Sequence, residues 1–212
     1  MLRRLLDYYQ IALDKLGPQH WWPGETPFEV CVGAILTQNT SWTNVEKAIA
    51  NLKSRNLLGP RRLYALAPVE LAQLIRPAGY FNIKTKRLRS FLKFLIEDYD
   101  ADLDRMFSES LSTLREKLLS VKGIGPETCD SILLYAGAKP IFVVDAYTKR
   151  IFVRHQILPE EADYHEIQEH FSRHLTPDTF NEFHALVVNI GKNWCKSREP
   201  DCAHCPWERF LP

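Results

Sequence analysis

The sequence predicts an all-α protein built from many short helices. Three observations carry that expectation. Apolar residues recur at three- and four-residue intervals along most of the 212-residue chain. Prolines such as Pro68 and Pro126 sit where a first helical turn would accept them. The one stretch with strand-like apolar continuity, 141–144, is short and reads as a buried extended link.

The elements follow in order. Residues 1–8 read as an amphipathic helix. They lack the long apolar core and small-residue cleavage site of a signal peptide, so none is expected. Residues 28–36 are an apolar run with helical spacing. Residues 45–52, 63–66 and 69–75 continue the pattern. Residues 86–99 place Leu88, Phe91, Leu92 and Leu95 on one face, with Arg87, Arg89, Lys93 and Glu97 largely elsewhere. Residues 118–130 read as helix, Gly-x-Gly turn, helix. Residues 145–153, 165–175 and 180–190 complete the set, with Pro177 opening a connection.

Composition bounds the function only loosely. With 45% hydrophobic and 25% charged residues, the chain has an ordinary globular make-up. A formal charge of +1 gives no bulk argument for nucleic acid, so any such argument is local. No run approaches ~18 apolar residues, so no membrane span is expected, and cytoplasmic residence is the default. Of five cysteines, Cys31 and Cys129 lie in apolar helical runs and read as core. Cys195, Cys202 and Cys205 crowd together in a pattern that favours a metal site over disulfides.

Several motifs carry chemistry, each with a plainer reading beside it. Gly123 and Gly125 let the backbone turn tightly and approach a ligand. The helix start at Pro126 offers free N–H groups to a phosphate, with Lys122 adding a full charge. The plainer reading is a bend between helices. Asp145 follows three apolar residues and suits an N-cap, a poised base or an electrostatic stabiliser, and these roles are compatible. The Cys-x6-Cys-x2-Cys spacing fits thiolates sharing one centre. Lys84, Lys86, Arg87 and Arg89 form a basic segment after Tyr80 and Phe81, either a solvated face or a phosphate contact. Trp21, Trp22 and Pro23 could cap the core or stack on a base. His170 and His174, four apart on a helix, could bind a metal but read as surface residues.

Taken together, these residues resemble the helix-hairpin-helix DNA glycosylase superfamily, in the endonuclease III group. The match is carried by Leu36-Thr-Gln-Asn-Thr40, Gly79-Tyr-Phe-Asn82 with Lys84, Val121-Lys-Gly-Ile-Gly125, Val144-Asp145 and the C-terminal cysteines. The Trp21-Trp-Pro23 run, Arg76-Pro-Ala-Gly-Tyr-Phe-Asn82 and Trp42 are similar to the 3-methyladenine glycosylases of that group, the 3-methyladenine DNA glycosylase III type. The resemblance implies two helical lobes with a DNA-facing cleft. One spans 22–135 with six helices and the hairpin at about 118–131, and the other spans 1–21 plus 136–212. It implies a monomer that flips a damaged base out of double-stranded DNA and cuts the N-glycosidic bond. Asp145 is then catalytic. Trp21, Trp22, Pro23 and Trp42 form the base pocket. Gln38, Tyr80, Lys84, Lys122, Gly123 and Gly125 contact DNA, with Gln38 or Tyr80 filling the gap left by the flipped nucleotide.

Two positions depart from the family pattern. Strand-nicking members carry a lysine where this chain has Glu127, so no Schiff base forms there by the usual route. The expected enzyme removes alkylated purines without lyase activity. The alternatives are an endonuclease III-like glycosylase for oxidised or mismatched bases and a non-catalytic DNA-binding iron–sulfur protein. The fourth cluster cysteine is replaced by Leu211. A [4Fe-4S] cluster with an outside ligand, zinc with His204, and an empty site all stay open.

Overall fold

The computed structural model describes residues 2–21 and 24–212, without the side chains of residues 2–4. The described residues form helices and connections, with no strand. The helices are α1 (Leu2–Leu16), α2 (Pro27–Leu36), α3 (Trp42–Ser54), α4 (Pro60–Ala65), α5 (Pro68–Leu74), α6 (Phe81–Tyr99), α7 (Leu103–Phe107), α8 (Leu111–Ser120), α9 (Pro126–Ser131), α10 (Ala146–Arg154), α11 (Tyr164–His174) and α12 (Phe180–Asn193). The apolar segment 141–144 is a buried extended link, as its shortness suggested.

The chain divides into two compact units. One comprises Pro23–Lys139, and the other Met1–Trp22 with Pro140–Pro212. The first unit contains eight described α-helices, α2–α9, rather than six. The extra ones are short. In α7 the start is fixed by Asp102, whose side chain accepts from the amides of Asp104 and Arg105. Five residues are too few for apolar periodicity to register.

In the first unit α2 is buried along almost its whole length, and α6 packs Leu88, Phe91, Leu92 and Leu95 inward. Entry to α6 is unusual. Gly79 (φ 69°) and Tyr80 (φ 45°) are both left-handed, which reverses the chain ahead of the helix. One turn later Lys84 is only 1% exposed. Its ammonium donates to the carbonyls of Leu36 (2.8 Å) and Ala78 (2.7 Å), tying α6 to the end of α2 and to the turn before Gly79. Burial, with Arg87 nearby, pulls this amine down to about 8.

The second unit is built on an aromatic core. Tyr8, Phe142, Phe152, Phe171, Phe183 and Trp207 are fully buried and in mutual ring contact. The Trp207 indole donates to the Tyr8 carbonyl (2.8 Å), and the Tyr8 hydroxyl bonds the His155 Nδ1 (2.8 Å). These bonds fasten the C-terminal segment to α1 and α10.

Lys84→Met removes both donors and leaves two buried carbonyls without them. It is expected to lower unfolding stability by about 2 kcal/mol or more, read from urea denaturation.

Candidate functional site

The hairpin lies within the first unit. Helix α8 ends at Ser120, residues 121–125 turn, and Pro126 opens α9 in the N1 position. The turn closes with the Ile124 amide donating to the Val121 carbonyl at 3.0 Å. Val121 and Ile124 point into the core, while Lys122, Gly123 and Gly125 face solvent. Gly123 has φ 93°, and a Cβ there would overlap the Arg87 side chain. Only glycine meets both constraints.

Three further interactions fix the turn. Arg115 on α8 grips the buried Asp130 on α9 through Nε (2.8 Å) and a second nitrogen (3.1 Å). That bidentate pair locks the helices flanking the turn. Gln38 donates through one amide nitrogen to the Gly123 carbonyl (3.2 Å) and the Thr128 hydroxyl (2.8 Å). Arg87 donates to the Gln38 carbonyl oxygen. Gln38 is thus committed to the hairpin from behind. Exposed Glu127 sits in the first turn of α9, beside Gly125.

The basic segment is corrected by the structure. Lys84 is buried under α2 and cannot reach a phosphate. Arg89 donates to the carbonyls of Tyr64 and Leu66 and lies over the Tyr64 ring at 4.8 Å, bracing α4. A run of basic residues predicts a surface face, but carbonyls at helix ends take these two cations instead. Lys86 stays exposed. Tyr80 does present itself, 69% exposed on its left-handed backbone, with Ile83 a turn away at 51%. Strain of that kind collects at functional positions.

Asp145 belongs to the second unit. The buried link 141–144 delivers it in extended conformation to the N-cap of α10. Its Oδ1 accepts from the Thr148 amide (2.7 Å) and hydroxyl (2.9 Å). Its Oδ2 faces the Nε2 of His184 at 3.6 Å, and the carboxylate side chain is only 11% exposed. Burial lowers the His184 pKa, while Asp145 opposes that shift, so the imidazole favours its neutral form. Sequence reasoning missed His184 because its link to Asp145 arises from α10 packing on α12, not from spacing. Asp145 is therefore a helix cap whose second carboxylate oxygen faces a buried imidazole.

Among the aromatic residues, Trp22 and Pro23 lie outside the described residues. Trp21 carries the Lys192 ammonium over its ring, 5.2 Å from the centroid. Trp42 opens α3 and its indole donates to Glu46 at 2.8 Å. His170 and His174 are half-buried rather than surface residues, with rings 4.6 Å apart.

Cys195, Cys202 and Cys205 line one pocket, together with Trp194, Trp207 and Leu211. Burial raises the Cys205 thiol, and the other two thiols add to that shift. Arg154 donates to the Cys195 sulfur at 3.3 Å. Among the described residues no three His, Cys, Asp or Glu side chains converge on a single ion. His204 pairs instead with Asp201 at 2.8 Å. The three thiols share this pocket wall with Leu211, which offers no donor.

Comparison with known proteins agrees with this geometry. The HhH-GPD superfamily base excision DNA repair protein family matches residues 32–177. The "Putative DNA repair glycosylase MJ1434" of Methanocaldococcus jannaschii is 48% identical over 206 residues, 95% of this chain and 93% of that protein. Endonuclease III of Bacillus subtilis is 25% identical over 208 residues, 95% of this chain and 90% of that enzyme. Among solved structures, H. pylori 3-methyladenine DNA glycosylase (MagIII) bound to 1,N6-ethenoadenine is 30% identical, with a TM-score of 0.78 over 90% of this chain and 96% of that one. A non-covalent endonuclease III–DNA complex, 19% identical, shares the fold with a TM-score of 0.86 over 100% of this chain and 95% of that one.

Gly123→Ala forces a side chain into the left-handed region and against Arg87. It is expected to cost about 1–3 kcal/mol of stability, measured by urea denaturation.

Proposed function

The chain belongs to the HhH-GPD superfamily of base excision DNA repair proteins, and from that premise we propose that it is a monofunctional DNA glycosylase removing alkylated purines, above all 3-methyladenine. The observation that carries the reading is Asp145, an anion with one oxygen held by Thr148 and the other turned to neutral His184.

DNA phosphates dock on the exposed backbone of Gly123 and Gly125, beside the Lys122 charge. The damaged base leaves the stack, and weak pairing of the lesion reduces that cost. Exposed Tyr80 fills the gap, since Gln38 already braces the hairpin. Ionised Asp145 stabilises the oxocarbenium charge at C1′ and orients water toward it. An alkylated purine is already cationic, so it departs without a general acid. Water rather than an amine attacks, because the position that would carry a lyase lysine holds Glu127.

Electron-poor alkylated bases gain most from indole faces such as that of Trp21. Lys192 over Trp21 illustrates the attraction of such a face for positive charge. The ethenoadenine complex of the H. pylori 3-methyladenine enzyme supports a modified-purine substrate.

Cys195, Cys202 and Cys205 would hold three corners of a [4Fe-4S] cluster, the fourth ligand coming from outside these thiols. When bound, it would pin the C-terminal segment through metal–thiolate bonds. Base removal does not pass through it. Visible absorption with iron and sulfide content of the purified protein is expected to report the cluster; iron-free protein of full activity would exclude it.

Asp145→Asn keeps a competent N-cap but removes the charge. Release of free 3-methyladenine from duplex DNA is expected to slow at least ~10²-fold. Undiminished release would remove Asp145 from the mechanism.

A further inference from the structure

The second oxygen of Asp145 has a partner that the proposed mechanism does not use. Oδ1 is occupied by two donors from Thr148. Oδ2 faces His184 Nε2 at 3.6 Å, and both side chains are shut away from solvent, at 6% and 11% exposed. The Phe142 ring stands edge-on to the imidazole at 6.2 Å and closes its side. A carboxylate held only through one oxygen can still tilt about its last bond. A carboxylate held through both is fixed in plane and position.

We infer that His184 is a positioning residue for Asp145, donating through Nε2–H to Oδ2 in its neutral form and cancelling the carboxylate's field when protonated. The inference rests on the reading of Asp145 as the catalytic anion. At 3.6 Å the contact is longer than a formed hydrogen bond. Such contacts are often long before substrate binds and tighten in the reactive complex. The neutral state suits the task. It orients the anion without offsetting the negative charge that an oxocarbenium-like transition state needs.

Asp145 acts electrostatically on the imidazole, and other charged and titratable groups lie on the neighbouring helices. From α10, Arg150 donates to the carbonyls of Gly191 and Cys195 and lies over the Tyr147 ring. Tyr147 is raised by burial and by Asp145. From α1, Tyr9 faces Glu182 and Asp178. Burial lowers the His184 pKa, and the Asp145 charge opposes it by favouring the protonated form. Acid therefore switches the pair off. Once His184 takes a proton, a cation sits against Asp145 and its field at C1′ collapses.

The test compares wild type, His184→Gln and His184→Ala in single-turnover release of 3-methyladenine from duplex DNA across pH. His184→Ala is expected to lose at least ~10-fold in the chemical rate, as a misplaced catalytic group does, with DNA affinity unchanged. His184→Gln, whose amide N–H reaches the same place, should recover most of the rate. It should also lack the acid limb that wild type shows below the ordinary histidine range. Equal wild-type rates in all three, or an unchanged acid limb in His184→Gln, would overturn the inference. If His184→Ala does not fold, the pH profile of His184→Gln decides alone. A second readout is independent of catalysis. NMR titration of the His184 ring should move to lower pH in Asp145→Asn, because the opposing charge is gone. An unmoved titration refutes the pairing even if the glycosylase reading stands. A titration that moves while wild type releases no base leaves the pairing and removes the catalytic reading.

Discussion

The two hydrogen bonds from Thr148 to one oxygen of Asp145 organise the second unit. They end the extended link 141–144 and begin α10 at the same atom. With α10 so started, Arg150 reaches the carbonyls of Gly191 and Cys195, tying α10 to α12 and to the cysteine segment. Gly191 permits this closeness, since a Cβ there would overlap the Tyr147 ring. The same packing carries His184 to the other carboxylate oxygen. The helix cap and the proposed catalytic anion are therefore one group, with Oδ1 serving the cap and Oδ2 facing His184.

The first unit solves a different problem, that of presenting bare backbone. Gly123 and Gly125 are exposed only because everything around them is braced. Arg115 and Asp130 hold the flanking helices, Gln38 holds the Gly123 carbonyl, and Arg87 covers the glycine where a side chain would stand. Cations that the chain could have shown to a phosphate are instead used inside. Lys84 and Arg89 satisfy carbonyls at helix ends, leaving Lys86 and Lys122 on the surface.

Much of this was legible in the sequence. Helical periodicity predicted the all-α class, and the positions of α2, α6 and α12 follow from it. The Gly-x-Gly turn, the Asp145 cap and the family itself were readable because each is a local pattern. What was not readable is long-range. Nothing in the spacing links Arg115 to Asp130, or His184 to Asp145, before the helices pack. Lys84 misled for the same reason: a lysine among basic neighbours resembles a solvated face until α2 closes over it. Short α7 carried too few residues for a period to emerge.

The central claim is that a carboxylate at 145, with no amine at 127, removes the base and leaves the strand whole. The most direct measurement follows the DNA strand itself. Duplex DNA containing 3-methyladenine is incubated with the protein, with and without borohydride, and the product strand is resolved by denaturing electrophoresis. The account predicts an intact abasic strand and no protein–DNA adduct. A strand nicked in step with base release, or an adduct trapped by borohydride, would contradict it.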